Sequence, residues 1–406
     1  MNQKSKFKQT EIGMIPEEWE EKRLGDCLKL IRKLFSPSKD DVCPYIGLEH
    51  IEQQTLRLMG FGSSNDVESN KFEFKAGQIL FGKLRPYFRK LIRPKFNGVC
   101  STDIWVIDTK GENDNAFFFY FLAGQRIINE ANNSSEGTRM PRARWDYLEQ
   151  LKLPIPPLAE QRAIAKILSD LDAKIELNQQ MNKTLEEIGR AIFKHWFVDF
   201  EFPNEEGKPY KSSGGEMVYN EELGKEIPKG WRVEKITKII KRESVSYKCD
   251  KKDLDPKGAT PILDQGSTCI YGYTSRRPDF TATRENPVIV FANHTCNYWF
   301  IDYPFCAIQN VIPFRGKDGY DEYFLYFMTK GSVTFIEYKG HWPDFEAKDF
   351  LIPPVEIAIR FGKVAKTILR KMSFCNSQTQ TLSQIRDCLL PKLMSGKIRV
   401  PLEGEE

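Results

Sequence analysis

Basic and aromatic side chains cluster in two regions of the sequence, each directly after a short apolar run. One cluster lies between Lys83 and Arg93, and further arginines follow in the segment 139–144. Arginine and lysine neutralise phosphates, and arginine, asparagine and histidine can hydrogen-bond to base edges, so these clusters favour contact with nucleic acid. The residues that we predict to touch DNA are Lys83, Arg85, Tyr87, Arg89, Arg139, Arg142, Arg144, Arg276, Arg277, Asn293, His294, Lys339, His341 and Trp342. The ordinary alternative is a solvated charged surface, which exposed lysine and arginine usually form.

Motifs that would support catalysis by this chain are missing from the sequence. It has no phosphate-binding Gly-rich loop, no Asn-Pro-Pro-Tyr or Asp-Pro-Pro-Tyr, no Gly-x-Ser-x-Gly and no His-Glu-x-x-His. His294 with Cys296 and Cys306 falls short of the four ligands of a structural zinc site. Asp344, Glu346 and Lys348 resemble a nuclease carboxylate–lysine triad, but their spacing is too short to span two strands. We therefore predict no catalytic residue, no metal site and no cofactor in this chain.

Composition excludes several classes of protein. The chain has 406 residues, with 60 Lys and Arg against 56 Asp and Glu, which leaves a net charge of +4 and excludes a binder that depends on overall basicity. The longest apolar run, 117–123, is far shorter than the roughly 20 residues of a membrane-spanning helix. The amino terminus lacks an apolar signal segment, and none of the nine cysteines forms a Cys-x-x-Cys pair. These features predict a cytoplasmic protein with reduced thiols.

Several short motifs occur twice in the same order, which predicts an internal duplication. Ile-Pro-x-x-Trp stands at 15–19 and again at 227–231, and Ile-Pro-Pro stands at 155–157 and at 352–354. Between them, 79–82 is echoed by 289–292, and 118–121 by 324–327. The offset drifts between about 197 and 212 positions, as loop insertions and deletions would produce.

Each half follows one plan, which predicts an α+β fold. About 130 residues of short apolar runs, broken by Gly, Pro and Asn, indicate strands, with a helical patch near 116–128 or 320–333. A Pro-Pro pair then precedes a long helix. The predicted boundaries are a first globular domain at 1–154, a central helix at 155–202, a linker at 203–219, a second globular domain at 220–352 and a second helix at 353–400.

The two long helices carry an apolar stripe with coiled-coil spacing. A buried asparagine on such a stripe costs stability but fixes the register of paired helices. The residues predicted to form the coiled coil or bind a partner are Ile164, Leu168, Leu171, Ile175, Asn178, Leu185, Ile368, Met372, Leu382 and Leu389. Two unrelated helices, each packed on its own domain, are the alternative. If the helices pair antiparallel, a pseudo-twofold axis relates the halves, and the two domains lie at opposite ends of a helical rod in a circular arrangement.

The sequence resembles the specificity subunits of type I restriction–modification systems. Pro-Pro-Leu-Ala-Glu-Gln at 156–161 opens the first helix, His-Trp-Phe-Val-Asp-Phe at 195–200 closes it, and Leu-Pro-Lys-Leu-Met-Ser-Gly at 390–396 closes the second. Together with the two Ile-Pro-x-x-Trp segments, these motifs extend the resemblance over nearly the whole chain. One departure is that the second Pro-Pro is followed by Val-Glu-Ile-Ala at 355–358 instead of Leu-x-Glu-Gln.

The resemblance implies a DNA-reading subunit that performs no chemistry itself. Each globular domain would read one half of a bipartite double-stranded DNA site, and the helices would set the spacer and dock two methyltransferase subunits, through which motor–nuclease subunits join. S-adenosylmethionine, ATP and magnesium would be bound by those partners. Helices of about 60 Å favour half-site centres about 10–11 base pairs apart. The rival hypotheses are a coiled-coil scaffold without DNA reading and a free-standing DNA-modifying enzyme.

Overall fold

The computed structural model describes residues 6–38, 42–137, 139–266 and 269–401. The predicted α+β class is confirmed, because short strands and helices alternate along the chain and two helices are far longer than the rest. The chain divides into two compact units. Unit 1 comprises Met1–Glu176 and Gln380–Glu406, and unit 2 comprises Leu177–Thr379.

Unit 1 contains two main sheets and two strand pairs. Its strands are β1 Phe7–Thr10, β2 Gly13–Pro16, β3 Glu20–Arg23, β4 Leu28–Ile31, β5 Leu34–Phe35, β6 Pro44–Ile46, β7 Gly62–Ser63, β8 Lys71–Phe74, β9 Ile79–Gly82, β10 Leu91–Ile92, β11 Gly98–Cys100, β12 Ile104–Thr109 and β13 Lys152–Ile155. The sheets have the orders β10-β9-β12-β4 and β5-β8-β11-β6-β7, and β1 pairs with β2 and β13 with β3. All neighbours are antiparallel except β6 and β11.

The helices of unit 1 pack around a buried aromatic core. They are α1 Leu24–Cys27, α2 Asn115–Ala123, α3 Gln125–Asn133, α4 Trp145–Leu148 and the start of α5 Leu158–Phe197. Helix α2 begins where the Asp114 carboxylate accepts a hydrogen bond from the Phe117 amide (2.7 Å), a common N-cap. The single helical patch predicted near 116–128 is two helices, because the backbone of Gly124 is extended between them (φ −63°, ψ 142°).

Unit 2 repeats the order of one sheet and of the two strand pairs of unit 1, but its second sheet differs. Its strands are β14 Met217–Asn220, β15 Lys225–Pro228, β16 Arg232–Lys235, β17 Ile240–Arg242, β18 Lys248–Cys249, β19 Thr260–Leu263, β20 Ile270–Thr274, β21 Val288–Ala292, β22 Tyr298–Ile301, β23 Cys306–Ile308, β24 Val311–Gly316 and β25 Asp349–Ile352. The sheet β17-β24-β21-β22 has the connectivity of β4-β12-β9-β10, and the pairs β14–β15 and β16–β25 correspond to β1–β2 and β13–β3. The second sheet has the order β18-β23-β19-β20.

The helices of unit 2 are α6 Glu322–Thr329, α7 Trp342–Ala347 and the start of α8 Val355–Met394. The segment 203–219, predicted as a linker, contains structure of its own. The ring of Tyr210 stacks on Phe202 with centroids 4.5 Å apart, and β14 begins at Met217. Helix α5 ends at Phe197, earlier than the predicted Phe200, because the amides of Val198 and Asp199 both turn back to the Lys194 carbonyl.

Helices α5 and α8 run antiparallel within each unit. In unit 1, Ile164 and Leu168 share a core with Leu390 and Leu393, near the opposite end of α8. In unit 2, the Asn178 amide donates to the Gln378 side chain (2.9 Å). Of the predicted stripe, the buried members are Ile164, Leu168, Ile175, Asn178, Ile368 and Met372, and the half-buried members are Leu171, Leu185, Leu382 and Leu389.

The Glu-Gln motif at the start of α5 fixes this helix to unit 1. Glu160 is 1% exposed, and its carboxylate accepts hydrogen bonds from the Trp19 indole (2.8 Å) and the Arg399 guanidinium (2.7 Å). Gln161 accepts from the Asp114 amide (2.9 Å) and donates to the Pro156 carbonyl (3.0 Å). The motif therefore serves packing, because its buried polar atoms are satisfied by neighbouring groups of unit 1.

The start of α8 lacks this arrangement. By the strand register, Trp231 corresponds to Trp19, and Ile357 occupies the position of Glu160. The Trp231 indole nitrogen is buried without a hydrogen-bond partner among the described residues. Aromatic rings replace the polar contacts, since Phe200 and Phe202 pack on Trp231 with centroids 5.4 and 5.7 Å away.

Candidate nucleic-acid interface

The two basic clusters of unit 1 lie side by side. The Arg85 amide donates to the Pro141 carbonyl (2.7 Å), and the Ala143 amide donates to the Lys83 carbonyl (2.9 Å). These bonds join the segment after β9 to the segment before α4. Residues that are far apart in the sequence therefore form one surface.

Arg85 and Arg139 are the cations of this surface best placed for a ligand. Both side chains are exposed, and neither forms an ion pair with a described residue. The Arg85 guanidinium donates to the Arg139 carbonyl (3.3 Å). Arg85 also has a left-handed backbone (φ 51°), at the start of a 3-10 turn over Pro86–Phe88. Tyr87, on that turn, is 45% exposed.

Arg142 and Arg144 are engaged within the protein. Arg142 forms a two-pronged ion pair with Asp103 (2.8 and 3.2 Å), which raises the pKa of its guanidinium above the ordinary value. Arg144 binds Asp146 and also Glu136 (2.6 Å), and both hydrogen bonds raise its pKa. Contact with a DNA phosphate would therefore have to compete with these carboxylates.

Arg89 differs from its neighbours because its side chain lies in the interior. Burial lowers its pKa, and the charges nearby are Asp387, Arg386 and Asp172 from the long helices. Its Nε atom is buried without a hydrogen-bond partner among the described residues. We therefore remove Arg89 from the predicted contact set, because it holds the 3-10 turn against the helices.

Lys83 lines an open pocket of about 380 Å³ together with Arg32, Trp105, Arg142, Trp145 and neighbouring residues. Burial lowers the pKa of Lys83, and Asp103 opposes this shift. Arg32 was not among the predicted residues. Its position just after β4 could have indicated it, because β4 lies in the same sheet as β9.

In unit 2, Asn293 holds the start of α7 by hydrogen bonds, and two other predicted residues, His341 and Trp342, are buried there. Its carbonyl accepts from the His341 amide (2.8 Å), and its side-chain oxygen accepts from the Trp342 amide (2.8 Å). His341 is 1% exposed, and its ring nitrogens lie 3.1 Å from the Asp344 carboxylate and 3.0 Å from the Glu337 carbonyl. Trp342 is 3% exposed. We therefore also remove His341 from the surface contact set, whereas Trp342 could reach a ligand only through the pocket that it lines.

The loop before α7 presents apolar side chains that the sequence analysis missed. Ile336 and Tyr338 are each 81% exposed, and the Tyr338 ring stacks on His294 (centroids 4.8 Å apart). The His294 ring also lies 2.8 Å from the Lys339 carbonyl. The Lys339 ammonium is near Asp344 (3.4 Å). His294 and Lys339 therefore lie together at the end of β21.

The predicted pair Arg276 and Arg277 is exposed after β20. The Arg276 guanidinium stacks on the Tyr247 ring at 3.7 Å, a contact that keeps its charge accessible. Arg277 is also exposed, and its carbonyl accepts a weak hydrogen bond from the Cys306 thiol (3.5 Å).

Searches of the described residues for two other kinds of site were negative. They contain no group of three or more His, Cys, Asp or Glu side chains able to hold a metal ion. Among the same residues, no helix has the length and apolar character needed to cross a membrane.

Comparisons with known proteins point to one family. The family model "Type I restriction modification DNA specificity domain" matches residues 16–187. The type I restriction enzyme MjaIX specificity subunit of Methanocaldococcus jannaschii is 26% identical, over 98% of this chain and 97% of that protein. The EcoDI specificity subunit of Escherichia coli is 30% identical over 45% of this chain and 42% of its own length. The crystal structure of the S subunit from M. genitalium has a similar fold (TM-score 0.54, 17% identity, 96% of this chain and 98% of that one).

Proposed function

Because this chain belongs to the family of type I restriction–modification specificity subunits, we propose that it is the DNA-recognition subunit of such a complex. Each unit reads one half of a bipartite double-stranded target. The chain itself is non-catalytic, acts in the cytoplasm and binds no cofactor. S-adenosylmethionine, ATP and magnesium belong to its partner subunits.

The exposed, unpaired arginines of unit 1 are the observation that carries this proposal. Arg85 and Arg139 are joined by a hydrogen bond and held by the backbone pairing of two segments. Such preorganised cations suit the phosphates and guanine edges of a duplex, which accept hydrogen bonds from arginine. In unit 2 the corresponding exposed candidates are Arg276, Arg277 and Lys339, with His294 beside them.

The partners in this proposal are two methyltransferase subunits, with motor–nuclease subunits joined through them. Most residues of the predicted coiled-coil stripe are buried or half-buried within the units, so a partner would bind the outer faces of the helices. Ile167, Leu177 and Ile188 of α5 are between 36% and 49% exposed and offer apolar surface for such a partner.

We further propose that the chain arose by duplication and that α5 and α8 act as the spacer between half-sites. The repeated strand order supports the duplication. Each helix has 40 residues, which gives about 60 Å. This length favours half-site centres about 10–11 base pairs apart.

Methylome sequencing of a host that expresses this chain with its methyltransferase tests the proposal. We expect a bipartite methylated sequence with half-site centres about one helical turn apart. Centres two turns apart would refute the spacer length, and no methylation attributable to the chain would refute the recognition function.

Two binding measurements separate the alternatives. Specific binding to that sequence in a gel shift, with methyltransferase present, should weaken steeply as salt rises, because counterions are released at each phosphate contact. Binding that is flat across salt would favour the scaffold. Clear binding of S-adenosylmethionine by the isolated chain would instead favour a free-standing enzyme.

A further inference from the structure

Each unit has a pocket next to its central sheet, and several residues that line the two pockets occupy equivalent positions. The pocket of unit 1 has about 380 Å³ and that of unit 2 about 550 Å³. Lys83 and Asn293 line them at the same place, directly after β9 and β21. The Lys83 amide donates to the Asp103 carbonyl (2.9 Å), and the Asn293 amide donates to the Asn310 carbonyl (2.9 Å).

A tryptophan at the start of a short helix forms one wall of each pocket. Trp145 opens α4 and Trp342 opens α7, and each stands ten residues before the isoleucine of the following Ile-Pro-Pro. The indole nitrogen of Trp342 is buried without an acceptor among the described residues. It is therefore a donor that a bound acceptor could satisfy.

An arginine from the edge of the sheet completes each pocket. Arg32 follows β4, and Arg242 is the last residue of β17. The strand register places Leu30 at the position of Arg242, because Leu30 pairs with Ile107 and Arg242 with Phe314 at the same point of the sheet. Arg32 lies two residues beyond Leu30, so both arginines leave the same face of equivalent strands.

Each pocket contains two cations without an ion-pair partner in the described part of the chain, although Asp146 and Glu149 also line the pocket of unit 1 and Glu243 that of unit 2. Among the described residues, Arg32 and Lys83 in unit 1 form no ion pair, and neither do Arg242 and Lys248 in unit 2. The Arg242 guanidinium instead lies 5.7 Å from the Trp342 ring. Two unpaired cations beside an aromatic wall suit an anion that carries an apolar group.

We propose that each pocket binds one sugar–phosphate of the DNA backbone. Arg32 and Lys83 in unit 1, and Arg242 and Lys248 in unit 2, take the phosphate, and Trp145 or Trp342 lies beside the sugar. This inference rests on the proposed function and adds three cations, Arg32, Arg242 and Lys248, to the predicted Lys83 and Trp342. Because both lysine and arginine bind phosphate oxygens, and a phosphate carries no sequence information, these contacts position the duplex and do not select its sequence.

The test uses the full chain assembled with its methyltransferase subunits. The probes are a duplex carrying the methylated sequence and an unrelated duplex of equal length. Arg32→Gln and Arg242→Gln should each weaken binding to both probes about tenfold. Each should also reduce the slope of log affinity against log salt by about one, as expected for one lost phosphate contact. The double variant should lose about a hundredfold, because the sites share no partner.

Lys75→Gln and Lys257→Gln are the matched controls, since these exposed lysines line neither pocket. They should leave the salt slope unchanged. Lys248→Gln is a second variant for unit 2 that keeps the contact between Arg242 and Trp342. The proposal is wrong if Arg32→Gln and Arg242→Gln keep the wild-type affinity and salt slope. It is also wrong if either variant relaxes specificity at one base position, because that would indicate that the arginine reads a base. If the wild-type complex binds neither probe, the proposed function itself fails.

Discussion

Trp19 and Trp231 give a matched pair of substitutions inside one chain. Both indoles are buried, at 0% and 6% exposure, and both follow an Ile-Pro-x-x motif. The Trp19 N–H donates to the buried Glu160 carboxylate at 2.8 Å, whereas the Trp231 N–H has no acceptor among the described residues. Replacing each tryptophan by phenylalanine removes the same atoms. The difference between the two losses of folding free energy therefore measures the hydrogen bond from Trp19 to Glu160.

The expected magnitudes follow from these contacts. A hydrogen bond to a charged group contributes about 1.5–3 kcal/mol, and trimming a buried side chain costs a further 1–2 kcal/mol or so. We therefore expect Trp19→Phe to destabilise unit 1 by about 3–4 kcal/mol. For Trp231→Phe the loss of packing is offset by removal of an unsatisfied buried donor, which costs about 1–3 kcal/mol in the wild type. Its net effect on unit 2 should lie within about 1 kcal/mol of zero.

Hydrogen exchange of the intact chain, detected by mass spectrometry, reports the stability of both units in one sample. Exchange of α2 amides should accelerate by at least two orders of magnitude in Trp19→Phe, because each 1.4 kcal/mol is a factor of ten. Exchange of α6 amides should change little in Trp231→Phe. Equal costs for the two substitutions would refute the reasoning that Glu160 makes the difference.

Three further predictions concern the helices. Asp172→Asn should lower the free energy of unfolding in denaturant by about 2–3 kcal/mol, because Asp172 pairs at 2.8 Å with the buried Arg386. Asp170→Asn is the control and should cost under about 0.5 kcal/mol, because its ion pair is exposed. Equal losses would contradict this prediction. Deleting the heptad around Met181 together with the facing heptad of α8 should shorten the spacer between the two half-sites by about three base pairs, since seven helical residues span about 10.5 Å. Methylome sequencing measures this spacer, and changed half-sequences would contradict the spacer role. A thiol reagent under native conditions should label the exposed Cys388 first, and faster labelling of another cysteine would contradict the burial pattern.

The fold class and the long helices were predictable because they depend on local patterns. Apolar runs bounded by Gly and Pro indicated strands such as β9 and β21, and the 3-4 spacing of apolar residues indicated α5 and α8. The break at Gly124 was not predicted from hydrophobicity, because apolar residues occur on both sides of it, at Leu122 and Ala123 and again at Ile127 and Ile128. Only the tertiary packing of α2 and α3 decides that the chain turns there.

The candidate site was predictable in its location but not in its individual contacts. The segments after β9 and before α4 were both indicated by charge, and the structure brings them together. The direction of each side chain depends on distant residues, however. Arg89 has its Nε atom buried, with Asp387, Arg386 and Asp172 of the long helices nearby, and Arg142 is paired with Asp103, which is about forty positions away in the sequence. Arg32 was missed because only the sheet topology, which places β4 in the same sheet as β9, brings it near Lys83.

The two tryptophan environments also bear on the proposed circular duplication. The segment that follows a long helix packs on the tryptophan of each unit: Gly396, after α8, lies against Trp19, and Phe200, after α5, packs on Trp231. Gly396 has a left-handed backbone (φ 68°), and a Cβ atom there would lie 2.4 Å from Pro16, so only glycine fits. Since the segment at the chain's end occupies the place that an internal segment occupies in unit 2, a circular duplication accounts for both contacts. The two tryptophans have a similar surrounding geometry but different chemistry, with a buried ion pair in unit 1 and aromatic packing in unit 2. Either arrangement fills the space, and only the first requires Glu160 and Arg399 to be present together.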